Sequence, residues 1–221
     1  MMYIRIIYII ICLTLSFNQE ILINEFLACN LLNAKDEFGE YDDWIEIHNF
    51  GEYVINLSEY YLTDDLDELD KFHLPQDNEL LINPGEYLIL WADGSPEQGA
   101  KHLSFRLNKD GEEIAIIDPN GYTIIDQISY GYQYADVSMG RNYSSDNDVV
   151  FFKTPTIKNI NSQGYQGFAT TPYVSINGGL FDSPQLVEIL NDDNNGILHF
   201  TTDSNLPTEQ HNIFNSGINI N

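Results

Sequence analysis

Four aspartates, Asp64, Asp65, Asp67 and Asp70, fall within the run TDDLDELD, the densest acidic stretch of the chain. Carboxylate oxygens at that density suit a hard divalent cation such as calcium. The run departs from an EF-hand loop, because the glycine of the sharp turn and the glutamate at the twelfth position are missing. A solvated hairpin tip is the competing expectation. A second group, Asp42 and Asp43 beside Trp44, could offer a sugar an aromatic face flanked by acids. Against that, large aromatic side chains dominate the cores of small β domains, which would place Trp44 inside.

Little else has the spacing of chemistry. There is no glycine-rich phosphate loop, no HExxH, no GxSxG and no CxxC pair. The histidines, His48, His73, His102, His199 and His211, are scattered and read as strand-face or turn residues. Carboxylates are so numerous that some pair must lie at glycosidase distance by chance. The expectation is therefore a chain without a catalytic constellation, and without a cofactor unless calcium binds at the acidic run.

The elements that would position these residues are short strands cut by turns. Trp44–His48 alternates, with Trp44, Glu46 and His48 on one side and Ile45 and Ile47 on the other. Val54–Leu57 and Tyr60–Leu62 give further extended pieces, and Lys71–Pro75 reads as an edge strand ended by proline. Asn83-Pro84-Gly85 is a turn, since Pro presets φ and Gly accepts a positive one. Tyr87–Trp91 then reads as a strand buried on both faces. His102–Leu107 alternates as a half-buried strand, and turns at Asn108–Gly111 and Asp118–Gly121 separate Glu113–Ile117 from Thr123–Tyr130. In Glu20–Asn30, period two places Ile21, Ile23 and Glu25 on one face and Leu22, Asn24 and Phe26 on the other. No stretch keeps a helical period. The fold class is all-β, an immunoglobulin-like β-sandwich with turns at sandwich spacing, plus a second and incomplete β-sandwich module.

Several blocks also carry a resemblance. ILINEFLACN, DDWIEIHNFGEYVINLSEYYLTDD, LPQDNELLINPGEYLILWADG and LNKDGEEIAIIDPNG follow one another as in the lamin tail domain, an immunoglobulin-like fold of nuclear lamins and of secreted bacterial proteins. The resemblance implies a domain over residues 20–162, with Gln133–Arg141 as a closing block; Arg141, one of nine basic residues, could pair with a carboxylate at the core edge or hold a ligand, and the structural role is the expectation. A Gly/Thr linker over 163–171 follows. From Pro172 a Gly178-Gly179 turn, Ser183-Pro184 before a strand, and Phe200-Thr201-Thr202-Asp203-Ser204-Asn205-Leu206-Pro207-Thr208 resemble the C-terminal module of chitobiases and β-hexosaminidases. Residues 172–221 are expected to be part of such a module, and the chain the front piece of a longer protein.

Residues 1–19 read as a signal peptide: Arg5 follows a short start, Ile6–Phe17 is apolar, and about 12 residues suit an h-region better than a bilayer span. Removal of that segment takes Cys12 and leaves Cys29 alone, a small apolar core residue with no disulfide partner. The formal charge of −25, with only nine Lys and Arg, disfavours nucleic acid as a partner. Fourteen Tyr and twelve Phe exclude a disordered acidic tail.

The expectation is a secreted or cell-surface, non-catalytic protein acting in adhesion, in contact with cell-surface polysaccharide or protein, or as a spacer, with no membrane span after cleavage. Two alternatives stand beside it. The chain could be the accessory front of a larger secreted hydrolase, nuclease or CotH-type kinase with its catalytic domain beyond Asn221, or a calcium-stabilised adhesin.

Overall fold

The computed structural model describes residues 20–143, 148–161, 163–191 and 196–220. The expected signal segment, 1–19, lies outside them. The chain divides into two units, Met1–Gln166 and Gly167–Asn221.

The first unit is built from β1 (Ile21–Leu27), β2 (Trp44–Asn49), β3 (Ile55–Asn56), β4 (Tyr61–Thr63), β5 (Phe72–His73), β6 (Leu81–Ile82), β7 (Tyr87–Trp91), β8 (Glu112–Ile117), β9 (Ile124–Tyr130), β10 (Ser138–Asn142) and β11 (Asp148–Phe152). One sheet has the order β11-β10-β1-β2-β7, a second the order β5-β4-β8-β9, and β3 pairs with β6; every ladder is antiparallel. β5 lies at an edge, where the proline that follows it costs no ladder bond. Between the two sheets lie Ile21, Ile23 and Phe26 from β1, Ile45 and Ile47 from β2, Leu62 from β4, and Ile114, Ile116 and Ile128 from β8 and β9. The driving force is the removal of these aliphatic side chains from water. The turn at Asn83-Pro84-Gly85 forms as its sequence requires, with Gly85 at φ +76°.

Four expectations are corrected. A β-bulge between Ile23 and Glu25 inserts Asn24 as an unpaired extra residue, so that Ile23 lies opposite Ile47 while Glu25 lies opposite Glu46. The alternation flips there: Phe26 joins Ile21 and Ile23 in the core, and Glu25 goes to the outer face with Leu27. His102–Leu107 does bury Leu103, Phe105 and Leu107, but it makes isolated bridges (Trp91 to His102, Asp93 to Arg106) instead of a ladder. Tyr165, expected in the linker, exchanges two backbone hydrogen bonds with Phe151 at 2.9 Å, so the first unit continues to Gln166. Cys29 is half-buried and not a core residue.

The second unit is a set of two-stranded ribbons: β12 (Tyr173–Val174) with β14 (Ile189–Leu190), β13 (Gln185–Val187) with β17 (Ile218–Ile220), and β15 (His199–Phe200) with β16 (Asn212–Ile213).

Among the described residues no helix is long and apolar enough to cross a membrane.

Candidate functional site

The outer face of the five-stranded sheet is not left to solvent. Trp44, with no exposed surface, packs there with Leu27, Ile89 and Trp91, and Ala34 and Ile157 close over them. Trp44 is thus a core residue of this second layer and cannot be a sugar-contact platform. Tyr87–Trp91 is buried on both sides of the sheet, as its apolar run requires, because Leu88 and Leu90 face the main core while Ile89 and Trp91 face this cluster.

Beside that cluster lies a buried polar network. Glu25 and Glu46, both with no exposed surface, sit opposite each other on β1 and β2. Glu25 accepts from the hydroxyls of Ser138 and Thr156 and from the Thr156 backbone N–H at 3.0 Å. Glu46 accepts from Asn24 Nδ2 at 2.7 Å and from the Lys158 backbone N–H at 2.6 Å. Asn161 closes the network, accepting from Asn24 Nδ2 at 3.0 Å and donating to the Asn24 and Arg141 carbonyls. Burial raises both carboxyls above their ordinary range; the N–H donors oppose it, and Glu46 still reaches about 7, helped upward by Glu25. The chain from Thr156 to Asn161 is therefore clasped to the sheet by side chains of β1 and β2. Next to it, His48 stacks on Tyr87 (centroids 4.3 Å apart) and its Nδ1 lies 3.1 Å from the Tyr143 hydroxyl, which donates to Asn24 Oδ1.

The clasp forms one wall of a cleft of about 360 Å³. Its floor comes from β7, with half-buried Tyr87 and nearly buried Trp91. Three lysines line it: Lys35 from the β1–β2 loop, Lys101 from the segment after β7, and Lys158 from the clasped segment. Lys101 pairs with Glu79 at 3.0 Å, and Lys35 lies over the Tyr41 ring at 4.7 Å. Lys158 takes a left-handed φ of +58°, in the conformation in which Glu46 receives its N–H. Sequence reasoning missed all three lysines. They are far apart in the chain, and nothing local marks any of them. A larger hollow of about 650 Å³, lined by Ile176–Gln185 and Val187 in the second unit, has Asp182 as its one ionisable side chain and no cation.

Asp42 and Asp43 lie in the β1–β2 connection. Asp43 accepts the Asn30 N–H at 3.0 Å, and burial lifts its carboxyl to about 6 against that bond. Both face inward toward loop structure, not outward with Trp44 as a recognition surface. Nearby, His102 is fully buried between two acids: its Nδ1 is 2.6 Å from Asp93 Oδ2 and its Nε2 is 3.4 Å from Glu37 Oε1. Burial opposes its charge, but Asp93 and Glu37 outweigh burial and raise its pKa.

The run Asp64, Asp65, Asp67, Asp70 is a self-bonded turn. Thr63 Oγ1 donates within it, Asp65 Oδ1 accepts the Asp67 N–H at 2.9 Å, and the Lys71 ammonium lies 2.5 Å from Asp64. Lys71 offsets one charge of the run, at Asp64, and its four aspartates do not converge as calcium would need. Among the described residues the acids that do converge are Asp36, Glu40 and Asp42. The other histidines stay apart: His73 pairs with Glu59 at 3.0 Å, and His199 and His211 lie in the second unit.

Two sheets facing each other across an aliphatic core, with antiparallel ladders throughout, define the first unit as an immunoglobulin-like β-sandwich. The lamin tail domain family model matches residues 16–132, more than half of the chain, and the chain belongs to that family. β10, β11 and the clasped segment lie beyond the matched residues. No curated protein and no solved structure matches the chain.

Proposed function

We propose that this chain is a secreted, non-catalytic binding module whose first-unit cleft takes a stretch of acidic cell-surface polysaccharide. One observation carries the reading. In a protein of formal charge −25, three of the nine Lys and Arg meet in a single cleft floored by Tyr87 and Trp91, where they outnumber the two acids of its lining, Asp36 and Glu37. A concave site with low-dielectric walls focuses their positive field. Ammonium groups bind carboxylates through charge-assisted hydrogen bonds, and the half-buried Tyr87 ring offers an apolar face to a sugar. Negative charge over the rest of the surface would repel an acidic polymer everywhere else and so favour this one site. Purified chain is expected to co-sediment with an insoluble acidic wall polysaccharide, less so at high salt, and to ignore a neutral one. Equal retention by both would remove the electrostatic basis of the reading, and binding only to a surface protein would point to adhesion of another kind.

A second reading, an accessory region of a larger secreted enzyme, is favoured by the second unit. Its two-stranded ribbons leave Leu180, Ile197 and Leu206 largely exposed, and such ribbons are marginal without a further surface to pack on. Its resemblance to the chitobiase C-terminal module fits the same reading. An open frame running past codon 221 into a catalytic domain would support it, and a stop codon there would remove it.

A further inference from the structure

We propose that Asp36, Glu40 and Asp42, with Gln98 beside them, form a site for a hard divalent cation, calcium by preference. One ligand oxygen from each of the three acids lies within 4.8 Å of the others. Two oxygens bound to one calcium at about 2.4 Å can be at most about 4.8 Å apart, so the spacing is that of a shared ion.

Convergent acids alone would mean little, but two of the three, Asp36 and Asp42, also hold a buried oxygen with no partner. Asp36 is 8% exposed. Its Oδ1 accepts the backbone N–H groups of Phe38 at 2.9 Å and Glu40 at 2.7 Å, which fixes the side chain inside its own loop. Its Oδ2 is buried and has no hydrogen-bond partner. Asp42 Oδ2 is buried and unpartnered in the same way. So is Gln98 Oε1, on an amide whose Nε2 is 3.3 Å from Glu40 Oε2. Buried polar atoms are almost always satisfied, and an unsatisfied oxygen on each of two convergent acids, with another on neighbouring Gln98, is what a shared cation would satisfy. The donor set is oxygen only, which selects calcium or magnesium over zinc or copper.

The site stands apart from the polysaccharide reading, although Asp36 also lines the cleft and a cation there would stiffen the wall that carries Lys35. The test uses the whole chain, stripped with chelator and dialysed, with metal alone as the probe. Calcium at about a hundredfold excess over Kd is expected to raise Tm by roughly 5 °C. Terbium, bound in place of calcium, is expected to show luminescence sensitised by the nearby Tyr41. Asp42→Asn is expected to lose both signals, and the milder Gln98→Leu, at a half-buried position, to weaken binding several-fold while keeping the fold. Asp65→Asn in the other acidic run is expected to change neither. No Tm shift and no terbium signal in the native chain would overturn the proposal. So would signals that survive in folded Asp42→Asn, or that vanish instead in Asp65→Asn.

Discussion

Glu25 and Glu46 face each other across the β1–β2 ladder with no exposed surface on either. Like charges directly opposite on neighbouring strands repel. Here each carboxylate is turned to a different stretch of the segment that leaves the sandwich, Glu25 to Thr156 and Glu46 to Lys158. The pair thus acts as a clasp. It holds a segment outside the family match against the sheet, and it sets the backbone of a residue that lines the cleft.

The clasp makes stability depend on pH. Glu46 has an ordinary carboxyl pKa of 4.5 when unfolded and about 7 in the fold. The folded chain therefore holds a proton that the unfolded chain releases. That contribution is complete below 4.5 and is lost as pH rises through about 7, by roughly 3 kcal/mol in all. Asp43, raised from 3.8 to about 6, acts with the same sign in a lower window. Urea midpoints are expected to fall across this range, and Glu46→Gln to flatten the upper part of the slope. An unchanged slope in the variant would assign the titration elsewhere.

The bulge at Asn24 needs a glycine beside it. A Cβ on Gly140 would come within 2.8 Å of Glu25 Cα and closer still to the Asn24 carbonyl. Both are backbone of the neighbouring strand and cannot turn aside. Gly140→Ala is expected to cost roughly 1–3 kcal/mol. Gly131→Ala, where nothing lies within 4 Å, is expected to stay within about 0.5 kcal/mol. Chemical denaturation of the two variants side by side measures the difference.

Arg141 ties the two sheets together. Its guanidinium meets Asp126 at 2.5 Å and its Nε donates to the Ile23 carbonyl at 3.1 Å, while Asp126 Oδ2 accepts the Ile23 N–H at 2.8 Å. Both side chains are largely buried, so Arg141→Met leaves Asp126 without its countercharge at the core edge. A loss of roughly 1.5–3 kcal/mol is expected, read as a lower urea midpoint. Arg141→Met/Asp126→Leu is expected to recover part of it, since removing both charges leaves none stranded.

How much of this could be read in the sequence followed from the range of each interaction. Local signals were legible: the alternation of Trp44–His48, the turn at Pro84-Gly85, the doubly buried Tyr87–Trp91 run, and the meander through β8 and β9. The same alternation put Glu46 on the face away from Ile45 and Ile47, correctly, but a polar face reads as solvent unless something covers it. What covers it arrives more than a hundred residues later, at Thr156–Asn161. The Asn24 bulge was invisible because a one-residue insertion leaves composition unchanged and only reverses phase. Density drew attention to Asp64–Asp70, where Lys71 pairs with Asp64 and the acids do not converge. The acids that converge, Asp36, Glu40 and Asp42, are spread over a loop whose geometry depends on Asp36 accepting its own backbone N–H groups.

The binding reading is tested most directly by titration calorimetry of the chain with a soluble polyuronate at low salt. Saturable binding is expected, weakened about tenfold or more when Lys35→Gln and Lys158→Gln remove two cleft charges together. Lys109→Gln with Lys153→Gln, two exposed lysines outside the cleft, is expected to leave the affinity unchanged. No heat of binding with the native chain, or an equal loss from either pair, would contradict the assignment of this cleft as the binding site.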